Sequence, residues 1–265
     1  MPCRYFDGAS KVNFGDIGPW VGQTYCAWVY PEAIADQTIY SQYRDTRNEY
    51  NFIGFDSSGF ARAQSRRSSS TTASATTTIP YKINKWHFIA GVFASTTSRT
   101  IYMFCDGVWH SVTNTTSVSM IGTGTGVGAA GYVNDSTWSA YLTGKIGLVA
   151  SFGRVLTLSE LQMFAFNPSK FTKLNQSLLC FMGGTNPEID YSGNKKHGTL
   201  TRTVLIPNDS PPIDTSFKGY KPNRVFRFPV FGLENHWADS FVLANAPAAV
   251  GGGGSAIYTM CLMGV

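Results

Sequence analysis

Charge is scarce in this chain. Asp, Glu, Lys and Arg together make up 14% of its 265 residues, with 16 acids set against 21 bases, and there are only four His. So few carboxylates and imidazoles leave little material for general acid–base chemistry, and no Ser-His-Asp signature is present. The formal net charge of +5 is mild for the length. Apart from Arg66-Arg67 and the 218–227 stretch the bases are scattered, where a nucleic-acid surface would gather them densely on one face. No nucleic-acid partner is expected.

Long apolar runs are missing too. No stretch of 18 apolar residues exists, so no helix is expected to span a membrane. Met1-Pro2-Cys3-Arg4 leads straight into a strand-like motif without a basic-then-apolar leader. The cysteines are five, Cys3, Cys26, Cys105, Cys180 and Cys261. They form no CxxC motif and no Cys/His pair with metal spacing. Their places inside runs such as YCAWVY and YMFCDG point to buried free thiols made in a reducing cytosol. One or two disulfides are the alternative.

What the chain does have is apolar and turn-forming residues. Hydrophobic residues reach 43%, with 18 Phe, 13 Tyr, 27 Gly and 12 Pro, the balance of a turn-rich all-β protein. Over the first 155 residues short β-type runs alternate with turns. Asp56-Ser57-Ser58-Gly59 closes one hairpin, and Asp106-Gly107, between IYMFC and VWHSV, is a strong two-residue turn signal because both positions need positive φ. Residues 65–80 lack apolar periodicity and suit a long exposed loop or a flat Thr-rich edge strand. Alternate glycines in 117–132 suit strand positions on which a backbone or ring packs closely; with no GK[ST] ending, they do not make a phosphate loop. One helix is expected after Thr157-Leu158-Ser159-Glu160, a capping box, with Leu158, Leu161 and Phe164-Ala165 as its apolar stripe and Asn167-Pro168 as its end. NDSPP, residues 208–212, has linker composition, and AAVGGGGSA is a flexible joint.

In WHFIAGVF the period of two puts Trp86, Phe88 and Ala90 on one face and His87, Ile89 and Gly91 on the other. Trp86 is expected in the core and His87 as a satisfied strand residue. Asp106 serves the turn, with metal ligation as the lesser alternative. The loop Tyr132-Val133-Asn134-Asp135-Ser136-Thr137-Trp138 mixes aromatic faces for sugar planes with polar groups for hydroxyls. Tyr132, Asn134, Asp135 and Trp138 are therefore candidate carbohydrate-binding residues, and Asn134 and Asp135 candidate calcium ligands. Tyr43 and Asn48, in a second polar-aromatic loop with Arg44 and Asp45, are candidates of the same kind.

The order of motifs is itself informative. YFDGASKVNFG, YCAWVYPE, KWHFIAGVF, IYMFCDGVW and TGKIGLVASFGRVLTLSEL together resemble the laminin-G-like, or concanavalin-A-like lectin, domain in its bacterial and phage versions, over roughly residues 4–168. DYSGNKKHGTL (190–200) resembles the phrase D.SGN..HGTL that accompanies such domains. The resemblance implies an all-β fold, an antiparallel two-sheet jelly-roll sandwich with one short helix. It implies binding of carbohydrate or protein, in some members with calcium, and no catalysis. Hydrolases of this fold class set carboxylates on one strand as E-x-D-x-x-E; Glu188-Ile189-Asp190 is the near match here, and it lacks the third acid.

The expected organisation is a jelly-roll domain at 1–172, a connecting segment at 173–210 packing on the sandwich, and an extended C-terminal arm at 211–265. In that arm Val225, Phe226, Phe228 and Phe231 alternate with bases as a strand able to join a neighbour's sheet edge. Ile257, Tyr258 and Leu262 make an apolar tail in need of a partner. The function these features suggest is a non-enzymatic phage virion structural protein, a head-decoration, spike or tail-associated subunit made in the host cytoplasm. Its partners would be virion proteins, itself and cell-surface glycans. The alternative is a bacterial secreted or surface carbohydrate-binding module.

Overall fold

The computed structural model describes residues 2–20, 23–44, 49–68, 71–94, 100–113, 120–122, 124–128, 139–168, 176–183 and 186–213. The arm residues Val225, Phe226, Phe228, Phe231, Ile257, Tyr258 and Leu262, together with Cys261, lie outside them.

Strands follow one another almost without interruption. They are β1 (Cys3–Asp7), β2 (Lys11–Asn13), β3 (Gly18–Trp20), β4 (Gln23–Pro31), β5 (Gln37–Arg44) and β6 (Glu49–Phe55). Then come β7 (Ala61–Ser68), β8 (Thr71–Thr76), β9 (His87–Phe93), β10 (Thr100–Cys105), β11 (Val108–Thr113) and β12 (Met120–Gly122). After β13 (Gly124–Val127) and β14 (Thr143–Phe152) comes the helix α1 (Leu158–Phe166), followed by β15 (Gln176–Phe181), β16 (Thr199–Thr201) and β17 (Val204–Ile206). One sheet runs β11-β10-β9-β4-β14-β1-β17, with β15 also paired to β14. The second runs β16-β2-β13-β5-β6-β7-β8, and β12 pairs with β3 as a small ribbon. All the pairings between these strands are antiparallel. The architecture is the two-sheet sandwich expected from the sequence.

Phe6, Val12, Tyr25, Val29, Tyr40, Ile53, Phe55, Ile89, Phe93, Ile101, Met103, Ile146 and Val149 come from both sheets and form the core between them. Alternation along each strand sends the neighbours of these residues to the outer faces. The core also holds a polar knot. Gln23 Nε2 donates to Gln42 Oε1 at 2.9 Å, the Tyr25 hydroxyl donates to the same oxygen at 2.8 Å, and Asn51 Nδ2 donates to Gln23 Oε1 at 3.4 Å. Buried polar groups of this kind hold register when satisfied.

Turn chemistry follows the sequence closely. Asp106 and Gly107 both have positive φ, 47° and 88°, and close the β10–β11 hairpin as the Asp-Gly pair requires. β7 and β8 pair with each other, and Thr-rich β8 stands at the sheet edge, the edge-strand alternative for that segment. The Thr157–Glu160 capping box forms, with the Glu160 amide on Thr157 Oγ1 at 3.3 Å and the Thr157 amide on Glu160 Oε2 at 2.8 Å. The helix buries Leu161, Phe164 and Ala165 on the outer face of the β4–β14 sheet. There Phe164 meets Phe88 and Phe152, and Trp28 Nε1 donates to the Ala165 carbonyl at 2.7 Å.

The four described cysteines are buried and free. Burial, with the Asp209 charge second, pushes the Cys3 thiol up to about 11.

Two expectations require correction. Trp86 is not in the core. It sits half-buried just before β9 on the outer face, edge-on to Tyr30 at 5.6 Å. Residues 208–212 are not a free linker. Asp209 accepts from Trp86 Nε1 at 3.2 Å and from Lys145 Nζ at 2.6 Å, and Pro211 lies over Gly147 so closely that a Cβ there would come within 2.5 Å of it.

The segment after the helix completes both sheets. β15 and β17 join the first sheet and β16 joins the second. Arg4 of β1 forms a buried ion pair with Glu188, the two side chains being 4% and 0% exposed, and Arg4 Nη1 donates to Thr203 Oγ1 at 3.2 Å. Removing one partner strands the other charge away from water. We expect Glu188→Ala to lower the unfolding free energy by about 3–5 kcal/mol in urea titrations. A loss near zero would show that the pair holds nothing.

Candidate functional site

The outward face of the β16–β8 sheet gathers the aromatic and cationic side chains. Strand pairing sets Gly124, Tyr43, Tyr50, Arg66 and Thr72 in one row across it. Gly126, Ser41, Phe52, Gln64 and Ser74 make the next row. Gly124 has to be glycine here, since a Cβ would lie 2.4 Å from the Tyr43 ring. This is the close ring approach that alternate glycines signal. Tyr43 is consequently 3% exposed. It is the floor of the face rather than an open sugar platform, which corrects the expectation for that residue. Tyr50 and Tyr141, both half-buried, pack against it. Arg66 lies over the Tyr50 ring with Cζ 5.9 Å from the centroid, and Arg62 lies over Phe52 at 5.1 Å. Arg62 Nη2 also pairs with Asp36 Oδ1 at 3.1 Å. Half-exposed Gln64 and exposed Ser74 and Thr72 complete a surface of flat groups and hydroxyl or amide partners.

Asn48, Tyr132, Asn134, Asp135 and Trp138, and with them the candidate calcium pair, lie outside the described residues. The chain next to two of the predicted segments does converge. Tyr43 stands at the end of one, Tyr141 lies three residues beyond Trp138, and the two rings are in contact. Sequence reasoning missed Tyr50, Arg62, Gln64, Arg66 and Tyr141. The alternation of Arg62, Gln64 and Arg66 with Ala61, Ala63 and Ser65 was the available signal, and the Ser/Thr-rich composition around it hid that period.

A second cluster is His87, Cys105 and Asp106, whose ligand atoms lie within 4.8 Å of one another, the one such group of three among the described residues. Its hydrogen bonds describe a clamp. Both imidazole nitrogens face acceptors, Nδ1 the Asp106 carboxylate and Nε2 the Lys82 carbonyl at 2.6 Å. The other Asp106 oxygen accepts from the Phe88 amide at 3.0 Å. A ring that donates from both nitrogens has no lone pair for a metal. Burial, the largest single influence on His87, opposes its charge. The hydrogen bond and charge of Asp106 and the Lys82 carbonyl outweigh burial and raise the pKa above 6.5. Asp106 thereby ties the β10–β11 turn to the start of β9.

The acids nearest to a hydrolase motif are also structural. Glu188 is paired with Arg4. Asp190 accepts from the amides of Leu179, Ser192 and Lys196 at 3.1, 2.8 and 3.0 Å. The phrase DYSGNKKHGTL thus builds a loop around its own first carboxylate. It then uses Gly198, where a Cβ would come within 2.5 Å of Val12, to pass close over β2.

Comparison with known proteins agrees with this architecture. A family model described as the Concanavalin A-like lectin/glucanases superfamily matches residues 6–162. The fold is similar to a heptameric SAP-like pentraxin from Limulus polyphemus at TM-score 0.58 and 12% identity, covering 80% of this chain and 97% of that one. It is also similar to a candidate carbohydrate binding protein from Bacteroides ovatus at TM-score 0.57 and 14% identity, covering 80% of this chain and 62% of that one. No curated protein sequence matches significantly.

The His87–Asp106 clamp predicts a pH dependence. Because the folded pKa is raised, the stabilisation is fully present below 6.5 and is lost as pH climbs through the folded value. Asp106→Asn tolerates the left-handed turn and removes the charge. We expect it to cost about 2 kcal/mol at pH 6, with the gap to the wild type shrinking as urea titrations move towards pH 9. A gap constant with pH would rule the ion pair out.

Proposed function

The chain belongs to the Concanavalin A-like lectin/glucanases superfamily, and on that footing we propose that it is a non-catalytic recognition module binding carbohydrate on the outward face of its seven-stranded sheet. The observation that carries this reading is the row of Tyr43, Tyr50 and Arg66, with Tyr141 against it. Sugars present apolar ring planes edged with hydroxyls. A site for them needs flat partners and nearby donors on a rigid scaffold. Tyr50 and Tyr141 supply the flat partners, with Tyr43 fixed beneath them. Gln64, Ser74 and the arginines supply the polar ones. The Bacteroides protein of similar fold adds support from a protein associated with carbohydrate.

For the setting we propose a phage virion, in which the module is a decoration, spike or tail-associated subunit and the 211–265 arm docks on neighbouring subunits. The observation in its favour is that the described cysteines are buried free thiols, in keeping with folding in a reducing cytosol before release. A secreted or surface-bound bacterial module is the competing setting, and it would share the same binding face.

On a glycan array followed by titration calorimetry, we expect Tyr50→Ala and Tyr141→Ala each to weaken sugar binding about tenfold, the factor given by roughly 1.4 kcal/mol, without changing the melting temperature by more than a few degrees. Sugar binding that ignores both changes would place the site elsewhere. In the virion setting, a chain ending at Ile213 should keep its sugar affinity and fail to assemble into particles. Normal incorporation of that truncated chain would remove the arm from the account.

A further inference from the structure

We propose that β8 pairs with the β8 strand of a second copy of this chain, antiparallel about a two-fold axis at Ser74, so that the seven-stranded sheet runs on from one molecule into the next. β8 stands at one end of that sheet. Among the described residues β7 pairs with it on one side and no strand pairs with it on the other. One hydrogen bond fixes which way its backbone groups point. The Thr77 amide donates to the Ala61 carbonyl of β7 at 2.9 Å. Backbone groups alternate in direction along an antiparallel strand. Those of Ala73 and Ala75 therefore also turn to β7, and those of Thr72, Ser74 and Thr76 turn away from it. Such an open row of donors and acceptors is a template for another strand.

Edge strands are ordinarily protected by charged side chains, by proline or by being very short. β8 has none of these devices. Its six residues are Thr, Ser and Ala alone. β16 and β17, at the opposite ends of their sheets, have three residues each. β11, which lies beside β8 and ends the other sheet, carries the larger Trp109 and His110.

The strand also fits itself. Outward side chains must oppose outward ones, and inward ones inward. An axis at Ser74 meets this condition, because it opposes Ser74 to Ser74 of the second copy, Thr72 to Thr76, and Ala73 to Ala75. Thr72 and Ser74 are exposed, Thr76 and Ala73 half-buried, and Ala75 lies in the core. The residues whose backbone groups point outward are those that meet as hydrogen-bonded pairs. Three such pairs, each closing two bonds, give six backbone hydrogen bonds between the copies. No like charges meet on the two strands. The β7 strands that carry Arg62 and Arg66 end up three strand spacings apart, about 14 Å, beyond the screening length of about 10 Å at 0.1 M salt. The axis stands normal to the sheet, so the outward faces of the two copies look the same way. That this sets two sugar surfaces side by side rests on the carbohydrate reading above; the strand pairing does not.

Sedimentation of the full chain from about 1 µM to 1 mM is expected to show a monomer–dimer equilibrium. Ser74→Lys sets two ammonium groups opposite each other at the axis and should weaken the dimer at least tenfold. Its melting temperature should stay within a few degrees of the wild type, since the side chain is exposed. Mixing it with Ser74→Glu should restore a heterodimer. Cross-linking reads the register. In a Cys261→Ser background, Ser74→Cys should give a disulfide-linked dimer under mild oxidation. Residues opposed in a hydrogen-bonded pair have Cα atoms about 5.5 Å apart, within the roughly 4.4–6.8 Å that a disulfide spans. Thr72→Cys alone should give none, because position 72 of the second copy lies four residues further along, about 13 Å away. A mixture of Thr72→Cys with Thr76→Cys should give it. A chain that stays monomeric, and is linked no better through Ser74→Cys than through Thr72→Cys, would overturn the pairing. A dimer indifferent to Ser74→Lys would overturn it as well. Its loss on Ser111→Lys would then assign the contact to β11, and its loss when Phe226 and Phe228 are changed to Ser would assign it to the arm.

Discussion

Strand β14 has to be paired along both edges, and the rest of the molecule follows from how that is done. Its ten residues run through the middle of the first sheet. Along one edge β4 pairs with it from Gly144 to Phe152. The other edge is closed in two pieces, by β1 opposite Thr143–Ile146 and by β15 opposite Leu148–Phe152. A buried backbone amide or carbonyl without a partner is costly. The first strand of the chain and a strand near residue 180 must therefore both be in place before the sheet is whole. The Arg4–Glu188 pair fastens the same two regions together in the interior. The segment after the helix is in this sense part of the sandwich, contributing to both sheets rather than trailing from them.

With that sheet complete, the two outer surfaces take on different work. The β4–β14 surface is covered on one side by the helix, through Trp28, Phe88, Phe152 and Phe164, and on another by residues 207–213, through Trp86, Lys145 and Gly147. The β5–β8 surface keeps half-exposed tyrosine, glutamine and arginine. The glycine at 124 lets Tyr43 lie down as its floor, and small inward residues Ala61, Ala63 and Ala75 let β7 and β8 sit close to the core. The face proposed for recognition is the one that neither the helix nor residues 207–213 cover.

Much of this was legible in the residues, and what was not has a physical reason. The Asp106-Gly107 turn and the Thr157–Glu160 cap are local signals whose causes lie within a few residues. They appear in the structure as the sequence describes them. Period two tells which residues share a face but not which face is inside, so it cannot place Trp86; its companion Phe88 packs on Phe164 of the helix. Asp209 and Pro211 have linker composition because their partners Trp86, Lys145 and Gly147 are more than 60 residues away along the chain. Tyr43 looked like an open platform for the same reason: the glycine beneath it belongs to β13. The candidate face itself is assembled from five strands, and no window of sequence contains it. The 132–138 loop and the C-terminal arm fall outside the described residues, and only Tyr141, next to the former, enters the face.

The anchoring of Asp209 and Pro211 has a mechanical meaning. Just before residue 213 the chain is pinned to the outer side of the β4–β14 sheet by an ion pair, an indole hydrogen bond and a proline seated on a glycine. The candidate sugar surface is on the other side of the sandwich. A pull along the chain from its C-terminal side is therefore taken up first by that anchor, and it bears on the sheet turned away from the ligand. A module tethered in this way can carry load without its grip on a surface being the first thing to deform.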